Sequence, residues 1–165
     1  SAHQLGMLAT VLNGALITDV FTRSGLITTH LSAVNCPDIA DKINSNTIKK
    51  ADYADVIVAS GGTGNPFFST DTAAILRALE FGATTVFKGT YVDGIYTADP
   101  HKDTTASLLP NTTFGHAIAA SLNVMDQTAF ILAGQHSITV RIFNIFTPNA
   151  LIRALGESTF GSTIT

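Results

Sequence analysis

With 165 residues, 45% of them apolar and only 13% charged, the chain is long enough for one domain with a real hydrophobic core. A formal charge of −3 leaves no basic footprint for nucleic acid, so any nucleotide chemistry concerns small molecules. The single cysteine, Cys36, excludes an internal disulfide and a Cys-rich metal site, and beside Pro37 it reads as a small apolar filler. No apolar run reads as long enough to span a membrane and no basic-apolar signal segment opens the chain, so a soluble cytoplasmic protein is the expectation.

In chain order, Leu5, Leu8, Val11, Leu12, Leu16 and Val20 recur three and four apart, which predicts a long helix over 5–23 with one buried face. Gly25 ends it, and 26–31 reads as a short strand with its threonines outward. Between 38 and 48 the periodicity is weak; a helix ending near Lys49-Lys50 fits, with that pair as a solvated helix end. The apolar run 56–59 reads as a buried strand. GGTGNPFFSTD (61–71) follows it, and an apolar-periodic helix over 73–79 comes next.

Four features make 61–71 a candidate ligand cradle. Gly61, Gly62 and Gly64 permit positive φ and close backbone approach. Ser69, Thr70 and Asp71 stand where the helix begins, so their oxygens can cap it or meet a ligand. The helix start offers unpaired N–H groups and the positive end of a dipole, which suits a phosphate. Phe67 and Phe68 can wall a base. The plain alternative is a Gly-rich turn with a capped helix.

Gly82 stops that helix, and 84–87 is a strand rich in β-branched and aromatic residues. The pattern 56–87 predicts a parallel strand–helix–strand unit, with ligands beyond the strand ends. Asp93-Gly94 signals a tight hairpin between Val92 and Ile95-Tyr96. Lys88 can meet a phosphate, Tyr96 can stack and Asp99 offers a carboxylate; their ordinary readings are a solvated lysine, a half-buried tyrosine and a turn former. Thr113 can cap a helix reaching 122, and Asp126 one carrying Ala129, Phe130, Leu132 and Ala133 inward. His116 and His136 have no ligand-spaced partners and read as surface or capping residues. A strand over 138–143 contains Arg141, Pro148 fits the first turn of a short helix over 149–155, and 160–164 is a closing strand.

The segments GMLATVLNG (6–14), GGTGNPFFSTDTAAILRALE (61–80), VDGIYTADPHKD (92–103), NVMDQTAF (123–130) and VRIFN (140–144) together resemble the bacterial uridylate (UMP) kinases of the amino acid kinase superfamily. The resemblance runs in register over nearly the whole chain. It implies an α/β fold, a three-layer sandwich around a mainly parallel sheet, and transfer of the γ-phosphoryl of ATP to UMP. UDP and ADP are the products, with Mg2+ accompanying ATP, and the family assembles as hexamers. By this resemblance His3, Thr63, Gly64, Asn65, Pro66, Phe67, Phe68, Ser69 and Thr70 bind UMP. His3 stands where the family has an aspartate for the ribose. Asp71, near the reacting phosphates, and Asp126, in the phosphate-side network, are the catalytic residues the resemblance implies. Lys88, Thr90, Tyr96 and Asp99 hold ATP, Tyr96 beside adenine.

The family's Lys-x-Ser-Gly and Gly-Gly-Gly-Asn segments have no counterpart here, and their place would lie upstream of Ser1. One amino acid kinase-like domain, incomplete at its N-terminus, is therefore expected. Without that cationic clamp the chain alone should be weakly active or inactive. The family's GTP-activator surface is not evident around Thr22 and Thr29. The alternative from another class is a molybdenum- or tungsten-storage protein that binds ATP on the same fold.

Overall fold

The computed structural model describes residues 1–98, 102–122 and 124–165. The chain divides into two compact units, Ser1–Phe81 and Gly82–Thr165.

In the first unit, helix α1 (Ala2–Arg23) precedes strands β1 (Thr28–Ser32) and β2 (Asp41–Lys42), helix α2 (Ser45–Lys50), strand β3 (Val56–Ser60) and helix α3 (Thr70–Phe81). The sheet order is β2-β1-β3, all parallel. β1 and β3 run in register from Thr28 opposite Val56 to Ser32 opposite Ser60, so both strands end side by side where the glycine-rich loop departs. α1 packs across both strands. The helix predicted near 38–50 is shorter: Asp41–Lys42 joins the sheet, and Asn44 begins α2 by accepting from the N–H groups of Asn46 and Thr47. Behind the strand ends, buried His30 sets Nε2 2.8 Å from the Ser60 hydroxyl. Burial pushes its imidazole below the ordinary value, opposed in part by the backbone at Ile39.

α1 corrects two expectations. Of the predicted stripe only Val11 is buried; Leu5, Leu12 and Leu16 are 69%, 60% and 68% exposed. The inward face is instead Met7, Thr10, Val11, Gly14, Thr18 and Phe21, whose small members let the helix approach the sheet. Periodicity finds a stripe but cannot choose between two apolar faces of one helix. The same double apolarity makes α1, with its 22 residues, long and apolar enough by length and composition to cross a bilayer. The expectation that no stretch passes this test is overturned. A mostly buried core helix of a soluble protein and a signal sequence meet the same criterion.

In the second unit the elements are β4 (Thr85–Thr90), β5 (Ile95–Tyr96), β6 (Leu108–Leu109), β7 (Asn111–Thr112), α4 (Phe114–Ala119), α5 (Gln127–Gln135), β8 (Thr139–Asn144), α6 (Ala150–Gly156) and β9 (Ser162–Ile164). The sheet order is β4-β8-β9-β7, with β8 and β9 antiparallel and the other two pairs parallel. Val140 and Ile142 of β8 and Ile164 of β9 are fully buried, and α6 sets Ala150 and Ala154 against Phe143. Arg141 passes beneath α6 to donate to the carbonyls of Ala154, Glu157 and Phe160.

Three predicted details change here. Among the described residues β3 ladders with β1 and β4 with β8, so the expected β3–α3–β4 pairing is not made. Chain proximity favours neighbouring strands without fixing ladder partners. Asp93-Gly94 does not close a tight hairpin, because β5 pairs antiparallel with β6, more than ten residues further on. The two-residue turn signal is real, but Val92 has no ladder to enter. Finally, α6 starts after Asn149, which takes the left-handed φ of 57°, leaving Pro148 ahead of the helix rather than in its first turn.

Candidate functional site

Two clefts, one in each unit, bear on function. In the first, the loop after β3 turns sharply: Gly61, Gly62 and Gly64 have φ of 79°, 61° and 81°. Gly61 shows why no side chain fits. A Cβ there would stand 2.9 Å from the backbone N of Val34. Phe67 also takes a positive φ, 72°, a conformation a bulky residue adopts only when its surroundings impose it. The residue is 85% exposed, and its ring tilts against the imidazole of His3, with centroids 4.8 Å apart. Ser69 then starts α3, its hydroxyl accepting from Thr72 N at 3.1 Å.

The result is a cleft of about 360 Å³ between the start of α1 and this loop, lined by His3, Thr63, Asn65, Phe68, Ser69 and Thr70 among others. None of the residues that line it carries a carboxylate. It opens at the N-terminal end of α3, where the positive end of the helix dipole favours an anion. Phe68 supplies a flat apolar wall. Thr63 is partly committed within the loop: its hydroxyl donates to Asn65 O and accepts from Asn65 N, both at 3.1 Å.

The second cleft, about 380 Å³, lies between the turn before β5 and the end of α4, lined by Val92, Gly94, Tyr96, Lys102, Ser121 and Leu122 among others. Gly94 packs so closely on β9 that a Cβ would collide with Ser162, whose hydroxyl accepts from Ile95 N at 2.8 Å. Asp93 bridges the site: Oδ1 accepts from Asn144 Nδ2 at 3.0 Å, and Oδ2 lies 3.4 Å from the Tyr96 hydroxyl. Burial, then the charge and hydrogen bond of Asp93, push the Tyr96 phenol above its ordinary value. It is an uncharged ring with an acceptor-backed donor, beside one cation.

The sequence model of the amino acid kinase family matches residues 1–144, running through both clefts. The chain belongs to the amino acid kinase family. Among similar proteins, a uridylate kinase of Thermotoga maritima is 43% identical over 165 residues, covering 99% of this chain and 71% of that one. A uridylate kinase of Mycoplasma genitalium is 46% identical over 158 residues, 94% of this chain and 65% of the relative. The crystal structure of UMP kinase from Ureaplasma parvum superimposes with a TM-score of 0.95 at 33% identity, over 99% of this chain and 71% of that one. UMP kinase from Bacillus anthracis gives a TM-score of 0.92 at 25% identity, over 99% and 68%. The fold is the amino acid kinase fold, and the storage-type alternative is not favoured by these relatives.

Within this amino acid kinase chain the expected residues distribute unevenly. His3, Thr63, Asn65, Phe68, Ser69 and Thr70 line the first cleft, whereas Gly64, Pro66 and Phe67 do not. Gly64 lies against Ala33 on the reverse side of the loop, where a Cβ would meet Ala33 O at 2.8 Å. Asp71 sits in the first turn of α3, directly after the lining Thr70. Tyr96 lines the second cleft. Lys88 and Thr90 lie on the last half of β4 and do not line it. Asp126 caps α5 by accepting from Ala129 N at 3.0 Å. Asp99 falls outside the described residues.

Thr10 and Met7 in the first cleft, and Ser121 and the Asp93–Asn144 bridge in the second, were not singled out from the sequence. The exposed stack of Tyr91 on Phe146, centroids 5.0 Å apart, was also missed. The helical spacing placed Met7 and Thr10 beside the leucine stripe, and only the orientation of α1 shows which face meets the loop.

Proposed function

We propose that the chain carries the acceptor cleft and the adenine-side cleft of an ATP-dependent UMP kinase, which moves the γ-phosphoryl of ATP to UMP in pyrimidine nucleotide synthesis. The observation that carries this reading is the carboxylate-free cleft at the start of α3, backed by uridylate kinase relatives over almost the whole chain. Phosphoryl transfer asks little covalent chemistry of a protein; it asks for donors around charged oxygens and for in-line positioning. Gly62, Ser69 and Thr70, which line the cleft, serve the monophosphate. Thr63, Asn65, Gly64, Pro66 and Phe67 shape the loop around the nucleotide, Phe68 walls the base, and His3, against which Phe67 packs, meets the ribose. Asp71 orients the cationic groups at the reacting phosphates. Lys88, Thr90 and Asp99 hold the ATP phosphates and ribose, Asp126 belongs to that network, and Tyr96 lies beside adenine.

Mg2+ enters with the ATP phosphates, screening their charge. Among the described residues no group of three His, Cys, Asp or Glu side chains converges to hold it alone. Both units belong to one amino acid kinase-like domain, since the family match runs through each. The exposed leucine stripe of α1 supports a homo-oligomer, a hexamer by family resemblance, in the cytoplasm. Calorimetry with UMP, with an ATP analogue and with molybdate or tungstate tests the reading, together with a crystal soaked in UMP. UMP in the cleft between His3 and Ser69 supports it. UMP bound elsewhere, or oxoanion uptake without UMP binding, overturns it.

A further inference from the structure

The glycine loop's first peptide is held by a residue outside the loop. The hydroxyl of Thr10, on α1, lies 2.8 Å from the backbone N of Gly61 and 2.7 Å from the carbonyl oxygen of Met7. A threonine hydroxyl has one proton. The Met7 carbonyl can only accept, so the proton goes there, and the oxygen's lone pair accepts the Gly61 N–H. That leaves Thr10 nothing to donate to a ligand, although it lines the cleft beside Met7 and Gly62.

Gly61 is buried, so its N–H left without a partner would carry a desolvation cost. On its other side the loop is fixed by β1 and the residues after it. Ser60 O accepts from Ala33 N at 2.9 Å, and Gly61 has no room toward Val34. The peptide that sets the direction of the whole loop is thus gripped between the segment after β1 and one hydroxyl of α1.

We propose that Thr10 is a positioning residue for the anion-binding loop, acting on the acceptor nucleotide through Gly61 rather than by touching it. This rests on the first cleft being the UMP cleft. Three forms of the full chain separate the possibilities: wild type, Thr10→Val, which keeps the shape and removes the hydroxyl, and Thr10→Ser, which restores it. Amide hydrogen exchange at Gly61 is read by NMR, and affinities for UMP and for a non-hydrolysable ATP analogue by calorimetry.

The Gly61 amide should be protected in wild type and in Thr10→Ser, and exchange faster in Thr10→Val. UMP affinity should fall about five- to tenfold in Thr10→Val, the size of one lost hydrogen bond, with Thr10→Ser close to wild type and ATP-analogue affinity unchanged in all three. Fast exchange at Gly61 in wild type overturns the tether even if Thr10→Val fails to fold. Equal UMP affinity in the three forms overturns the positioning role. Absence of UMP binding by wild type, with Gly61 still protected through Thr10, refutes the assignment of the cleft and leaves the tether standing.

Discussion

The two clefts are similar in size and are made in different ways. The first takes its shape from the backbone: three glycines and Phe67 at positive φ turn the chain back upon the start of α3. Its recognition groups are N–H dipoles and small hydroxyls, and no carboxylate lines it. The second takes its shape from side chains packed on strands: Gly94 against Ser162, and Asp93 joining Tyr96 to Asn144. A backbone-made cleft suits an anion, because peptide dipoles are fixed by the chain and do not titrate. A side-chain-made cleft suits a flat uncharged group, where a ring and a directional donor decide the fit.

The largest effects come from breaking each cleft by its own device. Gly61→Ala imposes a left-handed φ on a residue with a Cβ and drives that Cβ into the Val34 backbone. It should destabilise the fold by about 2–4 kcal/mol and abolish UMP binding, while ATP-analogue binding persists. Gly94→Ala is the mirror experiment. Its Cβ must displace the Ser162 hydroxyl that accepts from Ile95 N, at a cost of about 1–3 kcal/mol, and ATP-analogue affinity should fall while UMP affinity holds. Denaturant unfolding and calorimetry on both variants read the outcome. If either substitution weakens both ligands equally, the clefts are not separately constructed.

A smaller effect concerns pH. His30 and Tyr96, one per unit, are each pushed toward their neutral form, the histidine pKa down and the tyrosine pKa up. For His30 the sign is fixed by linkage. Below the unfolded pKa near 6.5 the unfolded chain takes up a proton that the folded chain resists, so stability falls as pH drops through that value and is unaffected above it. His30→Gln removes the titration and should flatten the stability profile between about pH 7 and pH 5.5 relative to wild type. Identical slopes for the two proteins, measured by thermal unfolding across that window, would show that His30 is not held neutral behind the first cleft.

The unequal legibility of the clefts in the sequence follows from the same contrast. The first lies in one continuous stretch, and glycines where only positive φ will serve, followed by a capped helix, are local signals. The strand read over 56–59 is therefore 56–60, and the helix read from the run 73–79, with its start at 69–71 and its stop at Gly82, is 70–81. Thr10 was not, because a hydroxyl fifty residues away becomes a partner only when α1 turns its small-residue face inward. The leucine stripe gave the opposite orientation. The second cleft was legible as Tyr96 and the Asp93-Gly94 turn, but the turn chemistry suggested a hairpin. The actual partner of Ile95-Tyr96 is Leu108-Leu109, a nonlocal choice that β-propensity does not encode. Nor does composition show that Asp93 serves two partners, since the Asn144 amide reaches it from the far end of β8.

The smallest effect isolates Asp93. Three causes raise the Tyr96 phenol: burial first, then the charge of Asp93 and its hydrogen bond. Asp93→Asn removes the charge while keeping a side chain of the same shape that can still accept from Asn144. The phenol should then titrate at lower pH than in wild type yet remain above the ordinary 10.0, because burial is untouched. Ultraviolet difference titration, with Tyr96→Phe to assign the signal among the three tyrosines, measures this directly. A downward shift with little change in ATP-analogue affinity would mean that Asp93 sets the phenol's charge state and the cleft's shape is kept by Gly94 and Ser162. No shift would mean that the carboxylate is not coupled to the ring in solution. The second cleft would then owe less to its side chains than the contrast with the first requires.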